Sequence, residues 1–175
     1  MTVTNTITMI YRRAQSGMLL TGLLLVAHAA FAQSWTHVAS ACVPDESSTG
    51  LYTFTNGSVT FTAAAPAGSA IKLRCNVTSP LDFTIAGSPA TWNQLHVGYQ
   101  DAAGGQIQVQ LVRIAKANGA AFVMANLVSA AGGPVVGTAA IGGAFDFTLN
   151  EYFVAINLTR AAGAPLPQVW YVGID

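Results

Sequence analysis

NQLHVGYQDAAGGQIQVQLV, residues 93–112, is the stretch whose reading decides the fold. Leu95, Val97 and Tyr99 alternate with Gln94, His96, Gly98 and Gln100. Beyond Asp101–Gly105, Ile107, Val109 and Leu111 alternate with Gln106, Gln108 and Gln110. Apolar side chains at every second position turn one face of an extended strand to a core and the other to water. Asp101–Gly105 reads as a hairpin turn, so Gln100 pairs with Gln106, Tyr99 with Ile107, Val97 with Val109 and Leu95 with Leu111. A one-residue slip would turn one strand's apolar set outward, so the pattern selects this register. The reverse face then collects glutamines, His96 and Gly98, with no lysine or glutamate among them.

The same period runs outward in both directions. In LYTFTNGSVTFT, residues 51–62, Asn56-Gly57 suits a type I′ turn, whose two central residues both need positive φ. That turn pairs Tyr52 with Phe61 and Phe54 with Val59. In residues 70–78, Ile71, Leu73, Cys75 and Val77 face one way; Lys72, Arg74, Asn76 and Thr78 face the other. Further strands are read in AFVMANLV, VVGTAAIGG, AFDFTLN, EYFVAINLTR and QVWYVGI. Gly132-Gly133-Pro134 reads as a break, and the stretch framed by Pro80 and Pro89 as a connection. About eight short strands, with no convincing helix, predict an all-β chain. An antiparallel sheet with one greasy face needs a second sheet over it, so the expected architecture is a two-layer antiparallel β-sandwich, jelly-roll-like or immunoglobulin-like.

The N-terminus carries the three parts of a secretory signal. Arg12 and Arg13 precede an apolar run from Met18 to Ala27, and Ala30-Phe31-Ala32 offers a small-x-small cleavage site. The expected organisation is a signal peptide over residues 1–32, with Met9 as an alternative start, and one domain over 33–175. The apolar run is about half the roughly 20 residues of a membrane span, so no anchor is expected. Export to the periplasm or the extracellular space follows. There, Cys42 and Cys75 are expected to form a disulfide.

Beyond the signal stand five Lys or Arg residues and seven Asp or Glu residues. That slightly acidic balance argues against nucleic-acid binding and against a polybasic membrane contact. No nucleophile sits in a Gly-x-Ser-x-Gly elbow, and past the signal the only histidines are His37 and His96, so no catalytic residue is assigned and no enzyme is expected. The Gly-Gly pairs lack a following Lys-Ser or Lys-Thr and read as turns, so no cofactor is expected. Asp45-Glu46 lacks the spacing of a calcium loop, so no metal is assigned. Asn56, Asn76 and Asn157 head glycosylation triplets, read as coincidence.

An uncharged amide face suits neutral, hydroxyl-rich ligands, because an amide both donates and accepts. An aromatic ring can stack on the apolar face of a pyranose. Trp92, beside Asn93, is the candidate platform; Trp170, in phase with Val172 and Ile174, reads as core. The candidate ligand-binding set is Trp92, Gln94, His96, Gln108 and Gln110. The first functional reading is a secreted, non-enzymatic binding or surface-interaction module whose partner is a neutral glycan or a protein surface. The alternatives are a carbohydrate-binding module using the amide face, and a structural protein that self-associates through strand edges. A plain solvated sheet face is the bland counterpart of all three.

The segments SACVPD, TNGSVTFT, IKLRCNVT, TWNQLHVGYQD and FDFTLNEYFVAINLTR together resemble a group of small exported bacterial β-sandwich proteins of unknown function with the same two cysteines. The resemblance implies a bacterial, exported β protein and carries over no binding or catalytic residue.

Overall fold

A computed structural model describes residues 34–79 and 92–175. The expected signal peptide, residues 1–32, and the connection expected between Pro80 and Pro89 lie outside the described residues. The strands are β1 (Trp35–Val38), β2 (Val43–Pro44), β3 (Tyr52–Thr55), β4 (Ser58–Phe61), β5 (Ala70–Val77), β6 (Gln94–Asp101), β7 (Ile107–Ala115), β8 (Ala121–Val128), β9 (Gly132–Ala140), β10 (Asn150–Thr159) and β11 (Gln168–Ile174). A six-stranded sheet runs β3-β4-β11-β6-β9, with β1 also on β11; a five-stranded sheet runs β2-β5-β10-β7-β8. Every pairing is antiparallel. The fold is a two-layer antiparallel β-sandwich. Among the described residues, no helix is long and apolar enough to cross a membrane.

Period-two residues fill the space between the sheets. Ile71, Leu73, Cys75 and Val77 of β5, Ile107, Val109 and Leu111 of β7, and Tyr152, Val154, Ile156 and Leu158 of β10 are buried. Leu95, Val97 and Tyr99 of β6 and Val169, Val172 and Ile174 of β11 are buried from the other sheet. Each such aliphatic side chain contributes about 1.5–3 kcal/mol by leaving water. The β3-β4 hairpin has the expected register, Tyr52 opposite Phe61 and Phe54 opposite Val59. Its turn places Asn56 at φ 50° and Gly57 at φ 84°. Cys42 and Cys75 form a disulfide, with a Cα–Cα distance of 4.5 Å, that ties the N-terminal segment to β5.

The second expected hairpin does not form. β6 pairs with β11 and β9, whereas β7 pairs with β10 and β8. The two strands therefore lie in opposite sheets. Alternation requires only that both apolar sets reach the core, and an arch between sheets satisfies that as well as a hairpin does. The arch is held by Asp101, which is 1% exposed. Its carboxylate accepts from Ser129 Oγ at 2.5 Å, Gln106 N at 2.8 Å, Gln106 Nε2 at 2.8 Å and Gly104 N at 3.0 Å. Burial pushes this carboxyl up, but the hydrogen bonds from Ser129, Gln106 and Gly104 outweigh it and hold the group below its ordinary value. Gln106 is consequently buried, its Oε1 accepting from Ala161 N at 2.9 Å, and it leaves the amide face.

Two shorter readings also change. Residues 144–149 form no strand, because Asp146 Oδ1 accepts from Thr148 N and Leu149 N and curls the backbone into a turn. Gly132-Gly133-Pro134 follows the end of β8 as expected of a break, but its three residues belong to the next strand and open β9 in the other sheet. Among the described residues β9 pairs only with β6, and a proline is tolerated on such an edge.

Candidate functional site

The arch scatters the five candidate residues. Trp92 is 3% exposed and meets Phe145 edge-on, with centroids 4.9 Å apart at 82°. Its ring is core and offers no platform. Gln94 and His96 lie on the outer face of the six-stranded sheet. Gln108 and Gln110 lie on the outer face of the five-stranded sheet, on the far side of the molecule.

Around Gln108 and Gln110, the register of β5, β10, β7 and β8 builds rows across the sheet. One row is Lys72, Asn157, Gln108 and Val128; the next is Arg74, Ala155, Gln110 and Asn126. A third begins Asn76, Phe153 and Val112. Ala155 is the smallest side chain of the middle row, so the surface dips there. A depression of about 320 Å³ lies over Ala155, lined by Lys72, Arg74, Gln108, Gln110, Phe153 and Asn157 among others. A second, of about 510 Å³, adjoins it through Asp45 and Arg74 and extends past Pro44 and Glu46. Together they make one trough from β2 to β7.

The trough combines amide and charged side chains with apolar ones such as Val43, Val112 and Phe153, and is locally balanced in charge. Gln108 Nε2 and Gln110 Nε2 both donate to Asn126 Oδ1, at 2.8 and 3.1 Å. Among the described residues, the two glutamine carbonyls and Asn126 Nδ2 have no protein partner. Asn157 Oδ1 is buried without a hydrogen bond. The Arg74 guanidinium sits 5.4 Å from the centre of the Phe153 ring, held over its face. Asp45 Oδ1 accepts from Ser47 Oγ at 2.6 Å and Ser47 N at 3.0 Å. Those bonds, chiefly the hydroxyl, hold the Asp45 carboxyl below its ordinary value, with Lys72 and Arg74 adding to them. Lys72 and Arg74 thus offset Asp45 and Glu46. A surface of fixed amides with no net charge can exchange hydrogen bonds with hydroxyls, which also donate and accept.

Sequence reasoning reached Gln108 and Gln110 but not Lys72, Arg74, Asn126, Phe153 or Asn157. The outward parity of Lys72, Arg74, Phe153 and Asn157 was visible in residues 70–78 and 151–160. What was missing was that β10 lies between β5 and β7.

On the six-stranded sheet, His96 Nε2 lies 2.7 Å from Asp175 Oδ1. The β11–β6 register shifts between Val169 and Tyr171. Val169 and Val172 stay in the core, while Trp170 and Tyr171 are both half-buried and both approach Gly98. The bulge therefore puts Trp170 on the outer face, out of phase with Val172 and Ile174. His37 stacks on Trp35, with centroids 5.6 Å apart. Among the described residues, no three His, Cys, Asp or Glu side chains gather as metal ligands.

No protein-family model and no curated protein matches the sequence. Solved structures do. A low-affinity xylan-binding module from Roseburia intestinalis aligns with TM-score 0.49 and 11% identity, over 82% of this chain and 95% of that one. A family two carbohydrate esterase from Cellvibrio japonicus aligns with TM-score 0.42 and 12% identity, over 81% of this chain and 33% of that one. The CBM36-1 domain of a xylanase from the hindgut metagenome of Trinervitermes trinervoides aligns with TM-score 0.40 and 6% identity, over 82% of this chain and 97% of that one.

Proposed function

We propose that the chain is an exported, non-enzymatic binding module, and that the trough across its five-stranded sheet holds an oligosaccharide. The observation that carries this reading is the middle row, where Ala155 lowers the floor between Arg74 and the amide cluster of Gln110, Asn126 and Gln108. Strands lie about 4.8 Å apart, so a trough crossing β2, β5, β10 and β7 is roughly 14 Å long. That length suits several linked rings better than one. The trough is open, and each exposed hydrogen bond adds only about 0.5–1.5 kcal/mol against the cost of ordering the ligand. The expected dissociation constant is therefore in the range of about 0.1–1 mM.

Affinity electrophoresis in gels containing soluble xylan, mixed-linkage glucan, galactan or mannan tests the proposal. At least one polysaccharide should retard the protein, and the double variant Gln108→Ala, Gln110→Ala should lose about tenfold in affinity, or roughly 1.4 kcal/mol. Free migration of the parent protein in all four would refute it.

Self-association is a second reading, favoured by the β9 edge. β9 has nine residues and no charge, and Val135 and Val136 are 42% and 49% exposed. Strand edges are ordinarily blunted by lysines, prolines or bulges; in β9 Pro134 does this at one end, while Val135–Ala140 carries no charge. Sedimentation should show concentration-dependent assembly that Val136→Lys abolishes; a monomer at every concentration would dismiss this reading.

A further inference from the structure

We propose a second carbohydrate site on the opposite face, a pocket for a single pyranose ring with Tyr171 as its stacking surface. It shares no residue with the trough and stands or falls separately.

Two glycines make the platform. Tyr171 is paired with Gly98 of β6, and Gly173 lies two residues along β11 on the same face. A Cβ at Gly98 would come within 2.5 Å of Tyr171 Cε1 and 2.6 Å of Cδ1, and would also collide with Trp170 Nε1. A Cβ at Gly173 would sit 3.8 Å from Cε2, on the other edge of the same ring. The tyrosine ring therefore lies down along the sheet, in the space that two absent side chains leave. Tyr171 is half-buried there. A ring laid flat in this way presents the surface that the C–H face of a sugar stacks on.

Polar groups stand at the edge of that ring. A depression of about 210 Å³ is lined by Ser34, Thr36, His96, Tyr171, Gly173 and Asp175. The bond from His96 to Asp175 Oδ1 fixes the imidazole, and among the described residues His96 Nδ1 and Asp175 Oδ2 keep no protein partner. A carboxylate oxygen accepts from neighbouring hydroxyls, and the imidazole and Ser34 add polar groups to the same lining, while Thr36 turns its Cγ2 methyl toward Gly173. The volume is smaller than the roughly 300–1,000 Å³ of pockets for larger ligands, which suits one ring or a chain end. With sites on opposite faces, one molecule can tie together two glycan chains.

Amide chemical shifts report the site directly. Methyl β-D-glucopyranoside, methyl β-D-galactopyranoside, methyl β-D-xylopyranoside and methyl α-D-mannopyranoside are titrated to about 50 mM, a range set by millimolar binding. At least one should move the Thr36, Gly98 and Gly173 signals saturably. Tyr171→Ala should remove that response, and so should Thr36→Lys, which fills the pocket from an exposed position without touching the core. Gln110→Ala should leave it intact. No saturable shift with any of the four glycosides, or a response that survives both Tyr171→Ala and Thr36→Lys, would overturn the proposal. Failure of the trough would appear elsewhere, as still signals at Gln110 and Ala155 under a longer oligosaccharide.

Discussion

Replacing Asp101 with alanine cuts the arch that sends β6 and β7 into different sheets. The lost carboxylate accepts four hydrogen bonds, the shortest 2.5 Å from Ser129 Oγ. Ser129 and Gln106 are themselves buried, so their donors cannot simply turn to water. A buried donor left without a partner costs about 1–3 kcal/mol. Counting Ser129 Oγ, Gln106 N and Gln106 Nε2 at the lower part of that range, and letting water reach only Gly104 N, the loss is about 3–5 kcal/mol. A domain of this size is stable by about 5–15 kcal/mol, so the variant should fold but melt roughly 10–15 °C lower. Urea unfolding followed by tryptophan fluorescence measures the difference; a loss below about 1 kcal/mol would refute the arch as drawn. The same group sets an acid dependence. Its folded-state carboxyl lies below the ordinary value of 3.8, because the hydrogen bonds outweigh burial. The stability it adds is thus complete above that value and lost as pH falls through the folded-state value. Asp101→Asn should flatten this acid arm of the stability curve.

Three further outcomes follow from the same geometry. Replacing Cys42 and Cys75 together with alanine should lower stability by about 4 kcal/mol, since the bridge closes a sequence separation of 33 residues; urea midpoints of the two proteins decide it. Trp92→Ala should cost about 3–5 kcal/mol in the same assay, as a buried indole does, and glycan retardation should be unchanged where the variant is folded. Gly57→Ala should cost about 1 kcal/mol, because φ of 84° is a left-handed conformation that a Cβ disfavours; a neutral result by thermal melting would contradict the turn geometry.

How much of this was legible depends on whether the deciding contact is local. The β3-β4 hairpin was readable because Asn56-Gly57 fixes both turn and register within a few residues. The faces of β5 and β10 were readable because parity is a property of one strand. Partners are not: Leu95 to Tyr99 and Ile107 to Leu111 alternate identically whether β6 and β7 pair or face each other across the core. The deciding group was Asp101, whose bond to Ser129 spans 28 residues. That bond also draws Gln106 inward and removes one amide from the surface. Trp170 was misplaced because one extra residue in β11 reverses parity, and a bulge leaves no mark on the alternation. The trough was half legible for the same reason. Gln108 and Gln110 show their parity, but Arg74 and Asn157 join them only through the order β5-β10-β7.

The most direct test of the binding account is a residue-by-residue NMR titration with a soluble oligosaccharide of whichever polysaccharide retards the protein. The account predicts saturable shifts at Lys72, Arg74, Gln108, Gln110, Ala155 and Asn157, in one contiguous band across the five-stranded sheet. Saturable binding with those six signals unmoved would contradict it.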